Sequence, residues 1–307
     1  MTEHPVPSDH ARELVKGAFD GHIHVAPDVV KRSVTDIELA QRFVARGLAG
    51  FTLKSHYTST AERASVVCEA VPGISAIGAI ALNRAVGGLN PVAVEIAARE
   101  GARVVWFPTV SSDNEQHEVL DADPAGKVPV WARFELELRA NDVVAEPVSV
   151  RDGSGELLGA GWDVLRVIAR HNLVLATGHL ARDEIFTLVD AAVSVGVGDI
   201  VITHPAFPSQ ALDLDDQVAL ADKGALIECC FTTAYTGKCS WEDLFAAARA
   251  VGPARTVLAT DLGQTFNPPV EDGLALMADR FLAAGFTETE VQTMAVANTR
   301  RLAQEKS

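Results

Sequence analysis

Leu173-Val174-Leu175-Ala176-Thr177-Gly178-His179 and Asp199-Ile200-Val201-Ile202-Thr203-His204 bracket the segment Asp183–Val195, and this unit decides the fold. Each flank is a short apolar run closed by a histidine. The middle is longer and carries apolar residues at helical spacing. A strand buried on both faces loses polar alternation, so strand–helix–strand with continuous apolar strands predicts a parallel sheet covered by helices.

The same rhythm extends outward in both directions. Further apolar runs lie at Ala18–Val25, Gly50–His56, Ile74–Leu82, Arg103–Pro108, Ala225–Phe231 and Thr256–Thr260. Between them come helix-like stretches at Val34–Ala45, Ala61–Glu69, Pro91–Arg99, Asp215–Asp222 and Trp241–Ala250, and Ser8-Asp9 caps a short helix to about Lys16. Eight strand–helix units in this length predict an α/β fold, a (β/α)8 TIM barrel, over one domain spanning 1–307. The rhythm breaks at about 110–160, after the fourth strand. An acidic, polar stretch (Ser111–Gly126) is followed by Val128–Leu138 and Val143–Val150, which read as a β-hairpin turning at Ala140-Asn141-Asp142, with a later turn at Asp152-Gly153-Ser154-Gly155. An insertion there sits on the C-terminal face, as a lid over the site, a surface decoration or an oligomer contact.

Composition narrows the function classes. The chain has 26 basic and 41 acidic residues, a formal charge of −15, which argues against nucleic acid or an anionic membrane as partner. No basic stretch followed by an apolar run opens the sequence, and no run approaches a membrane span, so a cytoplasmic protein is expected. Cys68, Cys229, Cys230 and Cys239 lack paired spacing, so reduced thiols are the default. The expected partner is a small-molecule substrate, and a homo-oligomer is compatible with the sequence.

The polar residues cluster where strands end. Asp20-Gly21-His22-Ile23-His24 puts two imidazoles on one strand face, because strand side chains alternate with period two. His179 and His204 follow the fifth and sixth runs, and Asp261 follows the eighth in Leu258-Ala259-Thr260-Asp261. The second run, Gly50-Phe51-Thr52-Leu53-Lys54-Ser55-His56, places Lys54 and His56 at the end of one face. An ammonium has no lone pair, whereas a neutral amine can add carbon dioxide to give an anionic carbamate ligand. Pairing of Lys54 with a carboxylate such as Asp20 is the alternative. Glu228 interrupts the apolar run Leu226-Ile227-Glu228-Cys229-Cys230, a costly placement unless it is paired or bound. Singly, each has an ordinary structural reading; together they form a ring of nitrogen and oxygen ligands on one face of one barrel.

With these residues the chain resembles the amidohydrolase superfamily, over nearly its whole length, from Asp20–His24 to Asn298-Thr299-Arg300-Arg301-Leu302. The resemblance implies a divalent-metal site, zinc or another dication, two per chain. His22, His24 and Asp261 would hold the more buried metal and His179 and His204 the second. Asp261 would be the general base, and His204 would stand beside it in catalysis. The fourth run, Val104-Val105-Trp106-Phe107-Pro108-Thr109, lacks the bridging lysine or glutamate that the family often draws from there. Lys54, N6-carboxylated, is the expected substitute, in a binuclear site; unmodified, it leaves a mononuclear one.

The implied reaction is hydrolysis of a carboxylic acid derivative (amide, lactam, lactone or thioester) by metal-bound hydroxide. Trp106, Phe107, Phe207, Phe231, Tyr235 and Phe266 offer an apolar acyl pocket or belong to the core. His56, Asp28, Arg32, Trp106, Phe207 and Glu228 are the substrate-side candidates; for Asp28 and Arg32 a loop salt bridge is the plain alternative. Two rival classes stand beside hydrolysis: a mononuclear decarboxylase or lyase of the same superfamily, and a non-catalytic metal-binding barrel.

Overall fold

A computed structural model of the chain describes residues 4–116, 130–143 and 146–304. Eight parallel strands lie in sequence order: β1 Phe19–Ile23, β2 Gly50–Leu53, β3 Ser75–Ala81, β4 Ala102–Trp106, β5 Val174–Ala176, β6 Asp199–Ile202, β7 Leu226–Cys230 and β8 Thr256–Ala259. All residues of β2, β4 and β5–β8 are buried, which is why these segments read as unbroken apolar runs. The expected (β/α)8 barrel is present.

The interdigitated interior consists of Ala79, Ala81, Val104, Trp106, Val174, Ala176, Val201, Leu226 and Val257. A cavity of ≈ 30 Å³ remains among these side chains, bordered by Trp106 and Glu228 above and by Leu302 below. Outside, helices close over the sheet with their own apolar stripes. The helix Asp36–Arg46 shows how local sequence sets one unit. Thr35 and Glu38 form a capping box, Gly47 ends the helix at φ +73°, and Leu39, Ala40 and Phe43 are buried.

The ladder runs unbroken from β1 to β8, and the seam between β8 and β1 is closed by residues just past β8. Asp261 N–H donates to His22 O (2.7 Å), and His24 N–H donates to Leu262 O (2.8 Å). Asp20 reinforces this seam. Its Oδ1 accepts the backbone N–H of His22 (3.2 Å) and of Thr260 (3.1 Å), and its Oδ2 accepts the Thr260 hydroxyl (2.6 Å).

The insertion differs from expectation. Val130–Ala140 is an α-helix, not the first arm of a hairpin. Phe134-Glu135-Leu136-Glu137-Leu138 alternates like a strand, but Ala132, Glu135, Leu136, Glu137, Leu138, Arg139 and Ala140 are all strong helix formers. Propensity wins there. The turn at Asn141-Asp142 is real, with Asp142 at φ +59°, but it ends a helix. The later turn at Asp152–Gly155 forms as expected. Most of the polar stretch, from residue 117, lies outside the described residues, as do Val128 and Pro129. Phe134 meets the Tyr57 ring edge-on at 5.3 Å, so the helix packs on the loop after β2, beside His56. No helix among the described residues is long and apolar enough to cross a membrane.

Candidate metal centre

Parallel strands deliver their final side chains to one end of the barrel, and five imidazoles meet there. Ring centroids run His22–His24 5.6 Å, His24–His56 4.9 Å, His56–His179 6.0 Å, His179–His204 4.9 Å and His204–His22 5.8 Å, a closed circuit. Asp261 enters the circuit from β8, with Oδ1 3.2 Å from His22 Nε2 and 3.1 Å from His24 Nε2. Lys54 Nζ stands 2.8 Å from His22 Nε2 and 5.1 Å above the Trp106 ring. His22, His24 and Asp261 bring ligand atoms close enough to share one cation. His204 and Asp261 adopt φ +26° and +51°, a region that disfavours residues with a Cβ. The bonds from His204 N–H to Glu228 Oε2 (3.0 Å) and from Asp261 N–H to His22 O help hold these conformations.

Burial sets the charge states. It pushes His24, His56 and His179 well below the ordinary imidazole value, and nearby cations add to it: Arg32 at His24, Lys54 at His56. Burial likewise takes His204 to about 4. It also lowers Lys54, against the pull of Asp261 and Glu228, which favours the neutral amine. Burial opposes ionisation of Asp261 and Glu228, yet His22 and its neighbours outweigh it and both carboxyls end below their usual range. Asp20 goes the other way. Burial raises it to about 7 despite the hydrogen bond from Thr260.

The residues around the circuit show which nitrogens can bind a cation. A neutral imidazole that donates from Nδ1 keeps its lone pair on Nε2. His22 Nδ1 faces Glu228 at 3.2 Å. His204 Nδ1 faces Gln210 Oε1 at 3.1 Å, and the Gln210 amide is oriented by its own Nε2 donating to Gly178 O. Glu115 Oε1 approaches His179 Nδ1 at 3.4 Å, short of a full hydrogen bond. His179 and His204 fit a metal well; His22 fits one in its neutral form, although against burial and Lys54 the carboxylates Glu228 and Asp261 raise it above the ordinary imidazole value. His24 fits less simply. Arg32 Nη2, which can only donate, lies 3.3 Å from its Nδ1, so Nε2 carries the hydrogen facing Asp261. Arg32 is paired through Nε with Asp28 Oδ2 at 2.6 Å.

Thus His22, His24, Lys54, His179, His204, Asp261 and His56 converge. Phe207 meets His204 at a tilt, with ring centroids 5.2 Å apart, and lies parallel to His179 at 6.5 Å. Asp28 and Arg32 form the loop ion pair, with Arg32 reaching the site only through His24. Trp106 and Glu228, read from sequence as substrate-side residues, lie deep beside the circuit, 2% and 5% exposed. Glu228 is engaged with His22 and His204. Trp106, on β4, and Glu228, on β7, both face the barrel interior, but depth along the barrel axis is invisible in the sequence. Sequence reasoning passed over Gln210, Glu115, Thr109, Asn83 and the seam role of Asp20. Asn83, Thr109 and Gln210 sit on loops and Glu115 on a helical segment after β4, where no strand periodicity marks a residue; Asp20 was read within the Asp20–His24 motif and as an alternative partner of Lys54, whereas it bonds to Thr260.

Comparison with known proteins agrees with this architecture. The profile of a family described as "Family of unknown function (DUF6282)" matches residues 17–228. No curated protein gives a significant match. Among solved structures, an amidohydrolase from Pseudomonas aeruginosa has a TM-score of 0.62 at 14% identity, covering 96% of this chain and 98% of its own. The probable dipeptidase PvdM from the same organism has 0.63 at 12%, covering 96% and 97%. A mutant of an organophosphorus hydrolase from Deinococcus radiodurans has 0.53 at 15%, covering 94% and 93%. At these identities the likeness is one of fold.

Proposed function

The chain belongs to the DUF6282 family, whose function is unknown, and from that premise we propose that it is a metal-dependent hydrolase of carboxylic acid derivatives with an apolar acyl part. The observation that carries this reading is the circuit of five imidazoles, four buried and His179 nearly so, closed by Asp261 at the barrel end where this fold places its chemistry. The shared fold of the amidohydrolase and dipeptidase structures supports it as analogy.

In this reading His22, His179, His204 and Asp261 hold a divalent cation such as zinc, with His24 joining once Arg32 withdraws. When bound, the cation supplies Lewis acidity and lowers the pKa of water. The protein's own groups do the rest. Asp261, held through Oδ2 by the Thr232 hydroxyl at 2.8 Å, takes the proton from the attacking water and returns it to the leaving group. Phe207, packed against His204 and beneath Lys238 Nζ at 5.6 Å, borders the acyl side. Lys54 is buried, is biased toward the neutral amine and lies 2.8 Å from His22 Nε2. Its carboxylation would supply the anionic bridge for a second cation that β4 does not provide.

A mononuclear lyase is the second reading, favoured by one observation: an unmodified Lys54 faces the His22 lone pair itself. Metal analysis and a panel of esters, thioesters and amides separate the two. The proposal expects two zinc equivalents and hydrolysis, with Lys54→Ala falling toward one equivalent and recovering in part with short carboxylic acids. Two equivalents and full hydrolysis in Lys54→Ala would overturn the bridge. No hydrolysis across the panel by the zinc-loaded protein would overturn the hydrolase reading.

A further inference from the structure

His56 is the one member of the circuit whose Nδ1 meets a hydroxyl. Thr109 Oγ1 lies 2.8 Å from it. The direction of that bond follows from the residue behind it. Asn83 Oδ1 accepts two backbone N–H groups, from Thr109 (2.8 Å) and Ser111 (3.1 Å), so the orientation of its amide is fixed. Asn83 Nδ2 therefore donates, to His56 O (2.9 Å) and to Thr109 Oγ1 (2.6 Å). With one lone pair of Thr109 engaged by Asn83, its hydroxyl hydrogen has a single acceptor among the described residues, His56 Nδ1. Asn83 and Thr109 are 1% and 0% exposed, so water does not compete for these bonds.

We propose that the Asn83–Thr109 relay locks His56 as the Nε2–H tautomer, so that His56 presents an N–H donor to the acyl oxygen of the substrate and is not a metal ligand. Two further observations agree. Among the described residues no hydrogen-bond partner meets His56 Nε2, while its ring stands between His24 and His179, facing the centre of the circuit. A neutral ring donating from Nε2 has its lone pair directed at Thr109 and none to offer a cation. The circuit is thereby divided: His22, His179 and His204 face acceptors through Nδ1, whereas His56 faces a donor. A fixed donor aimed at a developing oxyanion stabilises the transition state without reorganisation. Thr109 and Asn83 are positioning residues. The inference rests on the hydrolase reading for the identity of the acyl oxygen, but the tautomer itself does not depend on it.

Nitrogen-15 NMR of histidine-labelled protein tests this, with the His56 signals assigned by loss in His56→Gln or by ring contacts to the Thr109 methyl. The expected wild-type pattern is Nε2–H, both metal-free and loaded with cadmium-113, with no cadmium coupling at His56. Thr109→Ser should keep that pattern, whereas Thr109→Val should release it to a mixture of tautomers at unchanged cadmium content. Acetate, used as a probe carrying an acyl oxygen, should move the His56 Nε2–H resonance downfield and bind about five-fold more weakly to Thr109→Val. The Nδ1–H tautomer in wild type, or cadmium coupling to His56, overturns the proposal. An Nε2–H resonance that acetate does not move overturns the role toward the acyl oxygen. Failure to bind cadmium at all counts against the proposed function and leaves the tautomer readable in the metal-free protein.

Discussion

Asp261 Oδ1 approaches two imidazoles while Oδ2 holds the Thr232 hydroxyl, so its carboxylate is fixed in orientation at the point where the circuit closes. Asp261→Asn preserves the shape and one weak ligand oxygen but removes the proton acceptor. Turnover should fall by about 10²–10⁴-fold with zinc content largely retained; undiminished turnover would mean another group is the base. Arg32 acts in the opposite sense. Its guanidinium faces His24 Nδ1 at 3.3 Å, where a metal-binding imidazole needs an acceptor. Arg32→Leu removes that donor and one positive charge, so zinc affinity in a chelator competition should rise about ten-fold. A fall in affinity would show that Arg32 supports the site.

Between elements, the seam of β8 with β1 is where the chain segments carrying His22, His24 and Asp261 meet. Asp20 accepts three hydrogen bonds there, two across the seam from Thr260 and one from His22 N–H within β1, and both backbone donors are without access to water. Asp20→Ala leaves those donors unsatisfied and should cost about 2–4 kcal/mol in urea unfolding. Asp20→Asn keeps an acceptor for both N–H groups and a donor for Thr260 Oγ1, so most of the loss should return. Equal losses in both variants would show that cavity formation dominates instead. The eight strands were legible because burial on both faces leaves a run such as Val174-Leu175-Ala176 without polar alternation. The insertion was not, because Phe134–Leu138 satisfies the strand period while its residues favour helix. Of the site, the strand-end residues His22, His24, Lys54, His56, His179, His204 and Asp261 could be read, since position after an apolar run is itself a signal. Gln210, Glu115 and Asn83 carry no such signal, and their roles depend on loop paths that only the folded chain defines.

Across the whole molecule, the site and the stability of the barrel are coupled. Side chains from β1, β2, β5, β6 and β8, or the residues just after them, converge on one small volume, so a cation held there ties together strands that are distant in sequence. The unfolded chain has no such preassembled site, and a ligand that binds only the folded state adds RT ln(1 + [L]/Kd) to its stability. At a free zinc concentration one hundred times Kd the gain is about 2.7 kcal/mol. For a chain of this length each kcal/mol moves the midpoint by roughly 2 °C, so removing zinc with a chelator should lower Tm by about 5 °C. The formal charge of −15 adds a general attraction for dications. That part is screened by salt, whereas binding at the buried circuit is not. The shift should therefore persist in high salt and shrink in His22→Ala, which removes the ring that meets both Lys54 and Asp261. A chelator effect that disappears in high salt, or that His22→Ala leaves intact, would place the stabilising cations on the acidic surface and not in the circuit.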